Sequence, residues 1–115
     1  MLDKTYASCV AACQACIQAC ESWLDLSTHA NRVVEASHCT ELCQSSIRLC
    51  RLVIEELKLR SAFSIQVCAL GTVICRACAN EFTVEPGGLD CATACRRAAE
   101  ECHAIAATRL PVGAR

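Results

Sequence analysis

The chain contains few residues that break regular structure. Only 4 glycines and 2 prolines occur among its 115 residues. Secreted domains held together by disulfides are rich in loops and turn residues, so this composition argues against that class. An excess of basic residues is missing as well, since 11 basic and 12 acidic side chains give a formal net charge of -1. We therefore expect no binding to nucleic acid.

Long hydrophobic runs are also missing. No apolar stretch approaches the length of a transmembrane helix. Residues 1–6 lack the basic and apolar regions of a signal peptide. We expect a cytoplasmic protein that does not associate with a membrane. In that reducing compartment cysteines remain thiols, and a chain with many of them uses them as metal ligands or redox groups.

The turn signals of the chain predict one domain, residues 1–115, made of four helices. Ala, Leu, Glu, Gln and Arg are abundant, and apolar residues show no alternation of the kind that strands require. Ser27, Thr28 and Asn31 indicate a first turn, Ser61 a cap for the third helix, and 85–88 a strong break. The predicted helices cover about 3–25, 30–58, 62–83 and 89–108, followed by an irregular tail at 110–115.

Cysteine is unusually abundant, with 13 copies. In the first predicted helix Cys9, Cys13, Cys16 and Cys20 follow the pattern C-x3-C-x2-C-x3-C. At 100° per residue these four side chains fall within an arc of roughly 60° on one helix face. Such a face turns toward neighbouring helices in a bundle, so we expect the thiols to point inward.

The other three predicted helices repeat this template. The second carries Cys39, Cys43, Ser46 and Cys50; the third carries Gly71, Cys75, Cys78 and Phe82, with Cys68 one step earlier; the fourth carries Cys91, Cys95, Ala98 and Cys102. Short connections favour antiparallel neighbours, which predicts an all-α, up-down-up-down four-helix bundle with a cysteine-lined core.

Alternating helix directions then predict which residues share a level along the bundle axis. The first level would hold Cys20, Cys39, Phe82 and Cys91; the second Cys16, Cys43, Cys78 and Cys95; the third Cys13, Ser46, Cys75 and Ala98; the fourth Cys9, Cys50, Gly71 and Cys102, with Cys68 beyond it.

Buried thiols in such number favour Cu(I) as the cargo. Neutral thiols pack like small apolar groups, so the bundle can fold without metal. Each Cu⁺ that binds displaces about one proton, which leaves the core near neutral. Soft sulfur ligands also select Cu(I). The sequence therefore predicts a copper-storing protein that is not an enzyme.

Other interpretations stay open. Four thiolates around Zn²⁺ would leave a charge near -2 at each site, and iron–sulfur motifs wrap a cluster with a loop instead of following a helix. An iron–sulfur or redox protein and a purely structural bundle are the two alternatives. Among the ligand candidates we place the first helix highest, followed by Cys43, Cys78 and Cys95. The full set of predicted metal ligands is Cys9, Cys13, Cys16, Cys20, Cys39, Cys43, Cys50, Cys68, Cys75, Cys78, Cys91, Cys95 and Cys102, with His38 and His103 as possible accessory ligands.

With these repeated spacings, the chain resembles the cytosolic type of the cysteine-rich four-helix-bundle copper storage proteins, whose relatives are often labelled ferredoxin-like. The resemblance rests on the stretches 9–20, 38–50, 68–79 and 91–103. It implies inward thiols that store many Cu(I) ions, and a homo-oligomer, often a tetramer in that family. Ser46, Gly71, Phe82 and Ala98 occupy slots that are often cysteine in that family. The resemblance therefore implies a lower capacity here, with one bundle end partly plugged by Phe82.

Overall fold

The computed structural model describes residues 3–29, 37–82 and 88–108. It contains four helices, α1 (Lys4–His29), α2 (Ser37–Leu59), α3 (Ser64–Glu81) and α4 (Leu89–Ala107). No strand occurs within the described ranges. None of the helices there is both long and apolar enough to cross a membrane.

The four helices form an antiparallel bundle in which each packs against two neighbours. α1 contacts α2 and α4, and α3 contacts the same two helices from the other side. Cys9 of α1 meets Cys102 of α4, whereas Cys20 meets Cys91, so these two helices run in opposite directions. The predicted fold is confirmed.

The first turn differs from the prediction. α1 continues to His29 instead of ending near Asp25, so Ser27 and Thr28 belong to the helix. The stretch contains no glycine or proline, and Ser and Thr weaken a helix by only a few tenths of a kcal/mol each, about 0.5 relative to Ala. Asn31, the predicted start of the second helix at residue 30, and the tail at 110–115 lie outside the described residues.

A tight turn joins α2 to α3. Arg60 has a positive φ of 52°. Its N–H donates to the Leu57 carbonyl oxygen at 3.1 Å, and the Ser61 N–H donates to that of Glu56 at 3.0 Å. This pair of bonds is a Schellman motif with an arginine at the position that glycine usually takes.

The predicted cap of α3 is wrong in position. The helix begins at Ser64 with Phe63 as its N-cap residue, not at Ala62. The Ser61 hydroxyl instead accepts a hydrogen bond from the Phe63 N–H at 3.0 Å. The Ser64 hydroxyl reaches back to the Glu56 carbonyl oxygen at 3.1 Å, which ties the start of α3 to the end of α2.

Apolar side chains close the bundle on both sides of the cysteines. At one end the rings of Trp23 and Phe82 pack edge to face, with centroids 4.7 Å apart and planes at 81°. Both are buried, so the predicted burial of Phe82 at a bundle end is confirmed. Further along the axis, the buried aliphatic residues are Val53, Leu57 and Ile105.

Gly71 has a packing role inside α3. A Cβ atom at this position would lie 3.2 Å from Val53 Cγ2 and 3.3 Å from Cys102 Sγ. Both neighbours are fully buried and have little room to move. Glycine therefore allows α3 to approach α2 and α4 closely, which offsets its low helix propensity.

Candidate metal centre

All thirteen cysteines point into the bundle. Their relative exposure ranges from 0 to 4%, and none is joined in a disulfide. The four-three-four spacing places them on the inner face of each helix because i, i+3 and i+4 positions lie on one side of an α-helix. The expected inward direction of the thiols is confirmed.

Ten of these sulfurs form three groups in which all Sγ atoms lie within 4.8 Å of one another. Group one is Cys20, Cys78, Cys91 and Cys95; group two is Cys16, Cys50 and Cys75; group three is Cys9, Cys13 and Cys102. Each group draws sulfurs from at least two helices.

Contacts within and between the groups connect the sulfurs along the axis. The Sγ atoms of Cys16 and Cys95, from groups two and one, are 3.5 Å apart. Cys13 Sγ of group three hydrogen-bonds to Cys102 Sγ at 4.0 Å and also interacts with Cys50 of group two. The three groups are therefore parts of one column of thiols.

The remaining cysteines lie beside these groups. Cys43 Sγ is 3.8 Å from Cys91 Sγ of group one. Cys68 interacts with Cys9 and Cys102 of group three. Cys39 is buried on the same face of α2, four residues before Cys43.

The register predicted for α1 and α4 is confirmed. Cys20 pairs with Cys91 at 3.5 Å, and Cys9 pairs with Cys102 at 3.8 Å. Cys16 pairs with Cys95 between them. These are the partners that equal steps along two antiparallel helices require.

The register predicted for α2 is wrong by about one turn. Cys50 Sγ lies 3.7 Å from Cys75 Sγ, one template step away from the predicted partner Gly71. Val53 occupies the place beside Gly71. Cys43 accordingly lies at the level of Cys20 and Cys91, so the predicted all-cysteine level of Cys16, Cys43, Cys78 and Cys95 does not form. Cys43 keeps its predicted contact with Cys78 of α3, and Cys78 is likewise grouped with Cys20 and Cys91 instead of with Cys16. The α2–α3 pair is therefore displaced as a unit relative to α1.

Hydrogen bonding among the thiols separates their acidities. Hydrogen bonds from Cys20 and Cys43 hold the pKa of the Cys91 thiol down at about 5. For Cys68, hydrogen bonding with Cys102 lowers the pKa, but Cys9 and burial raise it further, to about 12. A thiolate surrounded by S–H donors is stabilised, while its neighbours keep their protons. Hydrogen bonds from neighbouring thiols also lower the pKa of Cys9, Cys16 and Cys78, so the core combines a few stabilised thiolates with a larger number of thiols whose pKa is raised.

The two histidines predicted as accessory ligands lie outside the sulfur column. His38 is exposed, and its Nε2 lies 3.7 Å from Glu81 Oε1. The His103 side chain is also exposed. Neither belongs to one of the three sulfur groups of the described residues, and the accessory role stays a prediction.

The cysteine template did not identify two features of this centre. The ring of Trp23 closes one end of the column against Phe82. Trp23 follows Cys20 by three residues, and this continuation of the cysteine stripe could have identified it. Ser46 entered the template only as a slot without cysteine, whereas its hydroxyl is buried without a hydrogen-bond partner.

A four-helix bundle with a buried column of free thiols defines a class of protein able to hold several soft metal ions. The family model described as copper storage protein matches residues 2–107. The chain therefore belongs to the copper storage protein family. The curated relative YhjQ of Bacillus subtilis, described as an uncharacterized cysteine-rich protein, is 30% identical over 112 residues, covering 92% of this chain and all of the relative.

Solved structures show the same likeness. The Cu(I)-bound copper storage protein BsCsp3 has a TM-score of 0.84 at 28% identity, covering 90% of this chain and 99% of the other. The metal-free Csp3 of Bacillus subtilis has a TM-score of 0.74 at 30% identity, covering 87% and 97%. A protein from Nitrosospira multiformis has a TM-score of 0.77 at 27% identity, covering 93% and 99%.

Proposed function

We propose that this chain stores Cu(I) as thiolate complexes along its column of inward sulfurs. The observation that carries the proposal is the set of three all-sulfur groups, each with Sγ atoms within 4.8 Å of one another and all members buried. At that separation, small side-chain rotations bring two or more sulfurs to one ion. The Cu(I)-bound structure of the similar protein BsCsp3 supports copper as the cargo.

All thirteen cysteines are proposed as ligands. Those of the three groups bind most directly, and Cys43 and Cys68 extend the column through their contacts with Cys91 and Cys102. Cys39 lies at the Trp23–Phe82 end of α2. His38 and His103 are accessory candidates only, because both side chains face solvent.

Charge favours Cu(I) over a divalent ion. Each Cu⁺ replaces about one thiol proton, so a loaded column keeps a charge close to that of the protonated one. Several Zn²⁺ sites with four thiolates each would leave a charge of about -2 per site, and the buried residues that the structure describes include no Lys or Arg to offset it. The column therefore suits a monovalent soft ion in number.

Anaerobic titration of the reduced protein with Cu(I), in competition with a tight chelator, tests the proposal. We expect several equivalents to bind before the chelator does, with new absorption confined to the ultraviolet. A protein that leaves Cu(I) on the chelator is a structural bundle, and visible charge-transfer bands after purification indicate an iron–sulfur protein.

The resemblance supports three further parts of the proposal. The chain acts as a store without catalysing a reaction, it works in the reducing cytoplasm where thiols persist, and it assembles as a homo-oligomer, of which a tetramer is the form the resemblance implies. Phe63, just before α3, and Leu70 and Val73 within α3 are exposed at 66, 50 and 61%, and they supply apolar surface that an assembly can bury. Sedimentation analysis of the full chain measures the assembly state.

A further inference from the structure

Ser46 is a buried hydroxyl without a hydrogen-bond partner. Its side chain is 0% exposed, and its Oγ atom makes no hydrogen bond. The other buried hydroxyls of the described residues are satisfied. Thr72 Oγ1 donates to the Cys68 carbonyl oxygen at 2.9 Å, and Ser64 Oγ donates to that of Glu56 at 3.1 Å. An unpaired buried hydroxyl destabilises a fold, so its presence needs a reason.

Packing does not supply that reason. Ser46 occupies the third slot of the cysteine template in α2, and Ala98 occupies the same slot in α4. Both side chains are fully buried. Since alanine fills this slot in α4 without burying a polar group, the volume of the slot does not require a hydroxyl.

Ser46 lies where two sulfur groups meet. Cys43, three residues before it, contacts Cys91 of group one at 3.8 Å. Cys50, four residues after it, belongs to group two together with Cys16. Residues three and four apart are neighbours on one helix face. We call Ser46, Cys43 and Cys50 the junction.

We propose that Ser46 donates a hydrogen bond to a copper-bound thiolate of the junction. A thiol is a weak acceptor, whereas a thiolate carries negative charge and accepts a stronger, charge-assisted bond. When Cu⁺ replaces the proton of a junction thiol, the sulfur loses its own S–H donor. The Ser46 O–H is then the neighbouring group that can donate a hydrogen bond to this sulfur. Ser46 acts through the ligands as a positioning residue, and this inference rests on the proposed storage of Cu(I).

The Ser46→Ala variant of the full chain tests the inference in two states. In the reduced, metal-free protein we expect a higher Tm, because the variant removes an unpaired buried hydroxyl. In chelator competition we expect the affinity for Cu(I) to fall about tenfold, the lower end of what the loss of an outer hydrogen bond to a metal ligand does.

Thr72→Val is the matched control. Thr72 also has a buried hydroxyl and lies between Cys68 and Cys75 in sequence, but this hydroxyl already donates a hydrogen bond to the Cys68 carbonyl oxygen. This variant should lower the Tm of the metal-free protein and leave Cu(I) affinity unchanged.

Two results overturn the inference while leaving the storage function in place. One is an affinity of Ser46→Ala equal to that of the natural protein, and the other is a lowered Tm in its metal-free form. If the natural protein takes up no Cu(I), the proposed function and this inference fail together.

Discussion

The sulfur atoms of Cys16 and Cys95 lie 3.5 Å apart, and this contact joins two of the three sulfur groups. Cys16 belongs to the group with Cys50 and Cys75, and Cys95 belongs to the group of four around Cys20. The pair thus connects α1 to α4 at the middle of the column. Loss of either sulfur removes a direct contact between these two groups.

We expect Cys16→Ala to lower the number of Cu(I) ions bound more than Cys39→Ala does. Cys16 has hydrogen-bonding contacts with four other thiols, whereas Cys39 is in none of the three groups of the described residues. Anaerobic titration of both variants gives the two stoichiometries, and circular dichroism checks that both stay helical. Equal losses in the two variants would show that position in the column does not matter.

The Trp23–Phe82 pair should make a large contribution to stability. Phe82→Ala removes a fully buried ring packed 4.7 Å from Trp23. A loss of about 3–5 kcal/mol in the free energy of unfolding follows from such a cavity. Phe63→Ala is the control, since that ring is 66% exposed and its removal should change stability by about 0.5 kcal/mol or less. Urea denaturation of the reduced protein measures both, and similar values would refute the assigned packing.

Arg60→Gly should stabilise the protein. Arg60 holds a φ of 52° in the Schellman turn after α2, a conformation that costs a non-glycine residue roughly 1–2 kcal/mol. After the extra chain entropy of glycine is subtracted, we expect a gain of about 0.5–1 kcal/mol in the free energy of unfolding. Arg60→Ala keeps the strain and loses the arginine, so it should bring no gain. A rise in stability with alanine would point to the side chain, not the backbone.

Copper binding should release protons. Burial and Cys9 raise the pKa of Cys68 to about 12 although Cys102 lowers it, so this thiol is protonated at neutral pH and must lose a proton to bind. Cys20 and Cys43 lower the pKa of Cys91 to about 5, so this thiol is already ionised at neutral pH. Hydrogen bonding lowers the pKa of Cys9, Cys16 and Cys78 as well. We therefore expect proton release on binding, at fewer than one proton per Cu⁺ ion.

The same competition weakens Cu(I) affinity as pH falls, because protons then return to the thiols. A pH-stat titration in weak buffer counts the protons released, and chelator competition at two pH values measures the affinity. Binding without proton release, or affinity independent of pH, would contradict the assignment of neutral thiols in the core.

The cysteine spacing alone predicted the bundle, the inward thiols and the pairing of α1 with α4. These follow from helical geometry, because the template on each helix leaves one face for the core. The position of α2 and α3 along the axis relative to α1 was not predictable in this way. Cysteines recur every three or four residues on each helix, so a shift by one template step keeps the thiols inward and changes only which of them meet.

Gly71 shows a second limit of the sequence. In the cysteine template, Gly71 stands in a slot without cysteine and lowers the stability of the helix. Only the packed structure shows that Val53 and Cys102 fill the space where a Cβ would stand. Tertiary contacts of this kind leave no periodic signal along the chain.

The near-complete burial of the thiols also affects how fast a bound ion can leave the bundle. Since no cysteine is more than 4% exposed, a chelator or a protein acceptor cannot coordinate a bound ion while the four helices stay together. Exchange must wait for local separation of the helices, an event whose frequency amide hydrogen exchange can report. The residence time of a bound ion then depends on how often the helices separate locally, as well as on the strength of the bonds between the ion and sulfur.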